Sequence, residues 1–328
     1  MFWTSYFLAV LAIALAWPVP ILLSRAHWPA RDPFTAMLLW QAIGLAGGLS
    51  MIGAMLVYGL EPIGDNLLAG LRALAAMVFQ NAPTTALGFW HLFALSAAAL
   101  LTAHLVFTLL LTYYKIERQR RRHRELLSLL ASPSSDGTGT MVINHDSPVA
   151  YCLPGGARSV TVLSDGLMAA LEPAELRAVL IHENAHLNQR HHLLLWAFAA
   201  WRQALPWLPT TRLAQEAVNS LIEMLADDVA LRTESKSTLI KAIAIVASGS
   251  AVPQDAAAMG RGEPAAPGLQ LPDGAGGSGS ASTTASRVSR LLSPREPLPA
   301  TLRAAVVAVC VLLLAMPTAL LIVPGLLG

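Results

Sequence analysis

His182-Glu183-Asn184-Ala185-His186 places two histidines four residues apart with a glutamate directly after the first. On a helix that spacing puts both imidazoles on one face, a turn apart. Two nitrogens so arranged can converge on one ion at about 2.0–2.1 Å, the distance zinc takes to histidine. Glu183 can then flank a water on that ion and take its proton. The implied chemistry is metal-assisted hydrolysis. The bland alternative is a coincidence of polar residues on a solvated helix.

The flanking residues supply a helix for the motif. Leu176, Val179 and Leu180 recur at helical spacing, Pro173 suits a first helical turn, and Glu172 and Glu175 suit the positive end of the dipole. A catalytic zinc site needs a third protein ligand and keeps its fourth position for water. The next acidic helical segment, 220–231, carries Glu223 and Asp227 on one face, with Leu221, Leu225 and Leu231 pointing elsewhere. Glu223 is the expected third ligand. Asp227 is expected behind it, accepting a hydrogen bond from a ligand histidine and fixing its tautomer. Glu216, one heptad earlier, is the rival ligand, and a solvated acidic face is the non-functional alternative. Asp228 points away if Asp227 points in. His191 and His192 are expected at the surface or facing lipid headgroups rather than on the metal.

These elements sit in a chain built for a membrane. Hydrophobic residues make up 55% and charged residues 13%, with mean hydropathy +0.54, outside the range of ordinary soluble domains. Four stretches, residues 2–23, 34–60, 86–114 and 302–327, are long enough to cross a hydrocarbon core, which takes about 20 apolar residues. The first lacks a basic leader and reads as a retained anchor rather than a signal peptide. The run Lys115 to Arg124 is the densest positive cluster, the loop after the first stretch carries Arg25 and Arg31, and the loop after the second is acidic. This bias predicts outside termini and a cytoplasmic region from Lys115 to about Arg303. Beside a span, the basic run reads as an anchor to lipid headgroups rather than a nucleic-acid site. Gly44 and Gly48 give a G-x-x-x-G spacing that would suit a homodimer seam. Gln41, His91 and His104 are expected to find hydrogen-bond partners between helices. Residues 67–79 read as an amphipathic helix on the outer leaflet.

In the cytoplasmic region, residues 125–130 continue the third span and 132–139 form a turn-rich break. Short strands are expected at 141–144, 149–153 and 159–163, with Gly155-Gly156 turning a hairpin. That hairpin either pairs with an extended substrate or only covers the helix. Residues 193–201 form a core helix or dip into the membrane interface, and Pro206 and Pro209 end it. Residues 248–286 are Gly/Ser/Ala/Pro-rich and read as a flexible linker, with self-cleavage there as a hypothesis, and 287–292 read as a short cytoplasmic helix before the last span. Cys152 and Cys310 are not expected to pair.

Taken together, the motifs resemble a known group. The order H-E-x-x-H then Glu223-Met-Leu-Ala-Asp227-Asp228 is similar to the gluzincin membrane peptidases. The flanks 164–171 and 175–186, with Arg190-His191, resemble the BlaR/MecR antibiotic-responsive metallopeptidases more closely. The resemblance implies Zn2+ on His182, His186 and Glu223, with Glu183 as base. It implies a mainly α multipass protein of the bacterial plasma membrane, with three spans in 1–114, a cytoplasmic α+β zinc peptidase domain in 115–247, a linker in 248–298 and a fourth span in 299–328. The implied substrate is a cytoplasmic repressor of the BlaI/MecI type. The alternatives are an HtpX-like or CAAX-processing peptidase and a non-catalytic zinc-containing receptor. There are two departures. Near His192, where the resemblance leads one to expect an acidic residue, the chain has a second histidine. It also ends soon after its last span, without the penicillin-binding sensor domain of the best-known members.

Overall fold

The computed structural model describes residues 1–80, 86–133, 140–153, 159–250, 277–293 and 296–327. In chain order the elements are α1 (Phe2–Ala16), α2 (Pro18–Ser24), α3 (Pro33–Leu60), α4 (Leu67–Phe79), α5 (Phe89–Leu130), β1 (Ala131–Pro133), β2 (Thr140–Ile143), β3 (Ala150–Leu153) and β4 (Val160–Ser164), followed by α6 (Asp165–Ala170), α7 (Pro173–Asn188), α8 (His191–Ala204), α9 (Pro209–Ala230), α10 (Lys236–Ser250), α11 (Gly277–Leu292) and α12 (Ala300–Leu327). They group into two compact units: Met1–Leu111 with Ala197–Val218 and Pro297–Gly328, and Thr112–Trp196 with Asn219–Glu296.

The first unit is the apolar one. Among the described residues, four helical stretches are long and apolar enough to cross a membrane: Phe2–Ser24, Pro33–Ile63, Phe89–Leu130 and Ala300–Pro324. The first is broken at Trp17, where Pro18 and Pro20 leave carbonyls of the preceding turn without their N–H partners. Leu8, Ala54, Val57 and Leu321 pack α1, α3 and α12 together. The outer faces stay apolar, as in Val10, Leu45, Leu100 and Val311, because lipid is their solvent. A Cβ on Gly44 would lie 2.9 Å from the Trp201 ring, and Gly47 faces Leu15. One glycine of the expected seam therefore receives an indole of its own chain. Trp201 belongs with Ala204, Leu205 and Leu208, which pack against Ala16, Met51, Leu101 and Leu105. The C-terminal half of α8 thus lies among the spans, where a loop could not satisfy its backbone. His104 Nε2 is 3.0 Å from the Ala204 carbonyl, the expected hydrogen bond, whereas His91 departs from the expectation: its ring stacks on Tyr58 at 5.1 Å and its buried Nδ1 makes no hydrogen bond among the described residues.

The second unit combines a small sheet with helices. Strand order is β1-β2-β4-β3, with β2 and β4 parallel and both outer pairs antiparallel. The strands fall close to their expected positions, and the turn joining β3 to β4 lies outside the described residues. Ala131–Pro133 is a difference: it reads as a break, yet it pairs with β2. Proline is tolerated there because an edge strand does not need every ladder donor. Leu163, Leu167, Leu171, Val179 and Ala242 bind the sheet and α6 to α7 and α10. Ala178, Ala230, Leu239, Ile243 and Leu291 close a second core among α7, α9, α10 and α11. The linker expectation is corrected over 277–286, which joins the short helix expected at 287–292 to make α11. From Gly277 the chain is helical, and Leu291 of α11 is 4% exposed, because this amphipathic stretch has an apolar core to bury against. Residues 251–276 of that expectation lie outside the described residues.

Candidate metal centre

α7 presents the H-E-x-x-H motif. Its N-terminus is fixed by a capping box in which the Glu175 carboxylate accepts from the Glu172 N–H at 3.0 Å, while Pro173 fills a first-turn position that needs no donor. Ala178, Val179, His182 and Ala185 form the buried stripe, so the helix turns His182 inward. One turn later comes His186. From α9, Glu223 meets both rings: its Oε2 is 3.4 Å from His182 Nε2 and its Oε1 is 3.5 Å from His186 Nε2, while the two Nε2 atoms are 3.2 Å apart. Ligand atoms about 2.0–2.1 Å from one tetrahedral ion are separated by roughly 3.4 Å. The residues fit a zinc ion.

The supporting charges agree. Asp227, 1% exposed, stands 3.0 Å from His182 Nδ1, so the carboxylate accepts that N–H and leaves the Nε2 lone pair for the metal. Burial disfavours a charged His182 ring, but hydrogen bonds to Asp227 and Glu223 outweigh it and raise its pKa to about 9. Burial would likewise raise the Glu223 carboxyl, yet His182 and Arg287 hold it well below the usual carboxylate range. Glu223 therefore stays ionised beside the two rings. Burial pushes Glu183 up to about 7, with His182 opposing, which poises it to exchange a proton near neutral pH. The same burial lowers His186 to about 4.

Both acidic positions singled out as ligand and support come together here. Glu216, the rival, is half-exposed and pairs with Arg212 of its own helix at 3.3 Å. Asp228 points the other way, as expected, and accepts two hydrogen bonds from Arg290 at 2.8 and 3.0 Å. His191 is a correction. It is 1% exposed, with its Nδ1 3.0 Å from His186 Nδ1, because Arg190 takes a left-handed backbone conformation (φ 51°) that turns α8 back onto the end of α7. Helical periodicity cannot reveal such a contact, since the helix stops between the two residues. His192 is only half-buried.

Arg287 was not anticipated from the sequence. From α11 it donates to Asp227 from Nε and Nη2 at 2.8 and 2.6 Å, and its Nη1 is 2.9 Å from Glu223 Oε2. The available signal was the i, i+3 pair Arg287 and Arg290 facing the adjacent acids Asp227 and Asp228. β3 is an edge strand, and its Cys152 backbone N–H donates to the Glu183 carboxylate. Among the described residues, the outer edge of β3 therefore faces the base. Burial pushes the Cys152 thiol up to about 12.

Two imidazoles and a carboxylate so placed can hold a zinc ion beside a general base. Residues 116–248 match the model of peptidase family M48. M48 is a family of membrane-type zinc metallopeptidases, and the matched stretch holds His182, Glu183, His186, Glu223 and Asp227. Arg287 lies beyond the M48 match. Neither curated proteins nor solved structures gave a match.

Proposed function

We propose that the chain is a multipass membrane zinc endopeptidase working at the cytoplasmic face of a bacterial plasma membrane. The observation that carries this reading is the convergence of His182, His186 and Glu223 on one point, with Glu183 beside them. His182, His186 and Glu223 hold the ion, and Asp227 and Arg287 hold two of those ligands. When bound, zinc polarises the scissile carbonyl and acidifies an attacking water. Glu183 takes the water proton on its carboxylate and delivers it to the leaving amine nitrogen. A substrate in extended form adds to the free edge of β3, where main-chain pairing presents its carbonyl beside Glu183. The basic run after Tyr114 supports the cytoplasmic orientation.

The substrate we propose, on the BlaR/MecR resemblance, is a cytoplasmic repressor of the BlaI/MecI type, with membrane lipids as the remaining partners and no nucleic acid bound directly. The M48 match supports a second reading, an HtpX-like or CAAX-processing peptidase acting on membrane proteins, since it holds for the peptidase domain without reference to a repressor. One experiment separates them: metal analysis of purified protein, then proteomics of cells carrying wild type or Glu183→Gln. A single DNA-binding protein cleaved only by wild type supports the first reading, and many membrane-protein fragments support the second. Absence of stoichiometric zinc would overturn both.

A further inference from the structure

The His191 ring lies between two partners. Its Nδ1 is 3.0 Å from His186 Nδ1, and its Nε2 is 2.8 Å from Gln189 Oε1. An amide oxygen only accepts, so His191 Nε2 carries the hydrogen. An imidazole with its one hydrogen on Nε2 presents Nδ1 as an acceptor, which is the role assigned to His191 Nδ1. The hydrogen between the two rings then belongs to His186 Nδ1. That fixes the lone pair of His186 on Nε2, the atom 3.2 Å from His182 Nε2 and 3.5 Å from Glu223 Oε1.

We propose that Gln189 and His191 form a hydrogen-bond relay that locks the tautomer and ring orientation of His186 for metal binding. His191 is thus a positioning residue. The relay rests on the proposed metal site and deepens it: the two ligand histidines are oriented by unlike chemistry, a carboxylate behind His182 and a neutral imidazole behind His186. Its backbone basis is local. The left-handed turn at Arg190 carries the chain from Gln189 to His191 and brings both side chains to the open end of α7.

The test uses the full-length chain in detergent micelles with ring-15N histidine, metal-free and zinc-loaded, together with competition against a chromophoric zinc chelator. Wild type is expected to show His186 protonated on Nδ1 and His191 on Nε2 before zinc is added. His191→Ala should lose that preference and bind zinc about 10–100-fold more weakly, the usual effect of removing a ligand's hydrogen-bond partner. His191→Asn, whose Oδ1 can accept the same N–H, should recover most of the affinity. Gln189→Leu, at an exposed position that leaves folding intact, should weaken zinc binding and mix the His191 tautomers. His186 protonated on Nε2 in the metal-free wild type would overturn the relay. So would unchanged affinity and ring signals in Gln189→Leu, which decides the matter if His191→Ala does not fold. Wild type that takes up no zinc would instead sink the peptidase reading, and the metal-free ring signals would still decide the relay.

Discussion

Arg287 Nη1 lies 2.9 Å from Oε2 of Glu223, while the rest of its guanidinium grips both oxygens of Asp227. A planar fork matches a carboxylate in two bonds and still reaches a second one, which an ammonium cannot do. One side chain thereby sets the orientation of the proposed third ligand and of the acceptor behind His182. It also anchors α11 to the centre, beside the bidentate pair of Arg290 with Asp228.

Arg287→Ala leaves Asp227 buried without its cation, a change that costs about 3–5 kcal/mol in comparable pairs. Thermal unfolding in detergent should show the loss. Zinc affinity should fall with it, and Arg287→Lys should restore little of either. Wild-type stability in the alanine variant would show that the guanidinium holds nothing.

Glu183→Gln keeps the shape of the site and removes the base. Peptide cleavage should drop by about 10²–10⁴-fold, the usual contribution of a positioned proton acceptor, with zinc content unchanged. Metal analysis alongside a peptide-cleavage assay checks both halves.

Glu223→Ala should abolish stoichiometric zinc, whereas Glu216→Ala should leave zinc content as it is and stability within about 0.5 kcal/mol, as for surface positions generally. The reverse result would return the ligand role to Glu216.

Asp227 supplies the pH dependence. Burial alone would raise its pKa, but hydrogen bonds from His182 and Arg287 hold it below the ordinary carboxylate value. A carboxyl whose folded pKa is depressed stabilises the fold fully above its unfolded value, near 3.9, and loses that contribution as pH falls further. Unfolding midpoints should therefore decline below about pH 4 in wild type. In Asp227→Asn that part of the decline should be missing and the midpoint at neutral pH lower. Parallel acid curves for the two proteins would refute the assignment.

Gly44 tests the seat of α8. A methyl group there would meet the Trp201 ring at 2.9 Å, and a rigid indole cannot yield as a flexible chain would. Gly44→Ala should cost about 1–3 kcal/mol, the range for overpacked sites, and Trp201→Leu should relieve it. Additive effects of the two substitutions would show no contact between them.

The histidines of the candidate metal centre were legible in the sequence because their geometry is local. His182 and His186 share a face by helical periodicity, but spacing left Glu216 as a rival to Glu223, and the fold separated them by bringing Glu223 to both rings and pairing Glu216 with Arg212. The spans and α4 were legible for a similar reason: hydropathy acts over consecutive residues, and lipid leaves helix as the available form. What only the tertiary structure decided lies where the chain leaves its regular period or returns from far away. His191 reaches His186 across a left-handed turn that no periodicity carries through. Arg287 reaches Glu223 and Asp227 from beyond a Gly/Ser-rich stretch whose composition says nothing of where the chain comes back. Ala131–Pro133 becomes a strand because β2 offers it an edge. In each case a partner distant in sequence or direction, not the residue's own helical or strand neighbours, supplies the free energy.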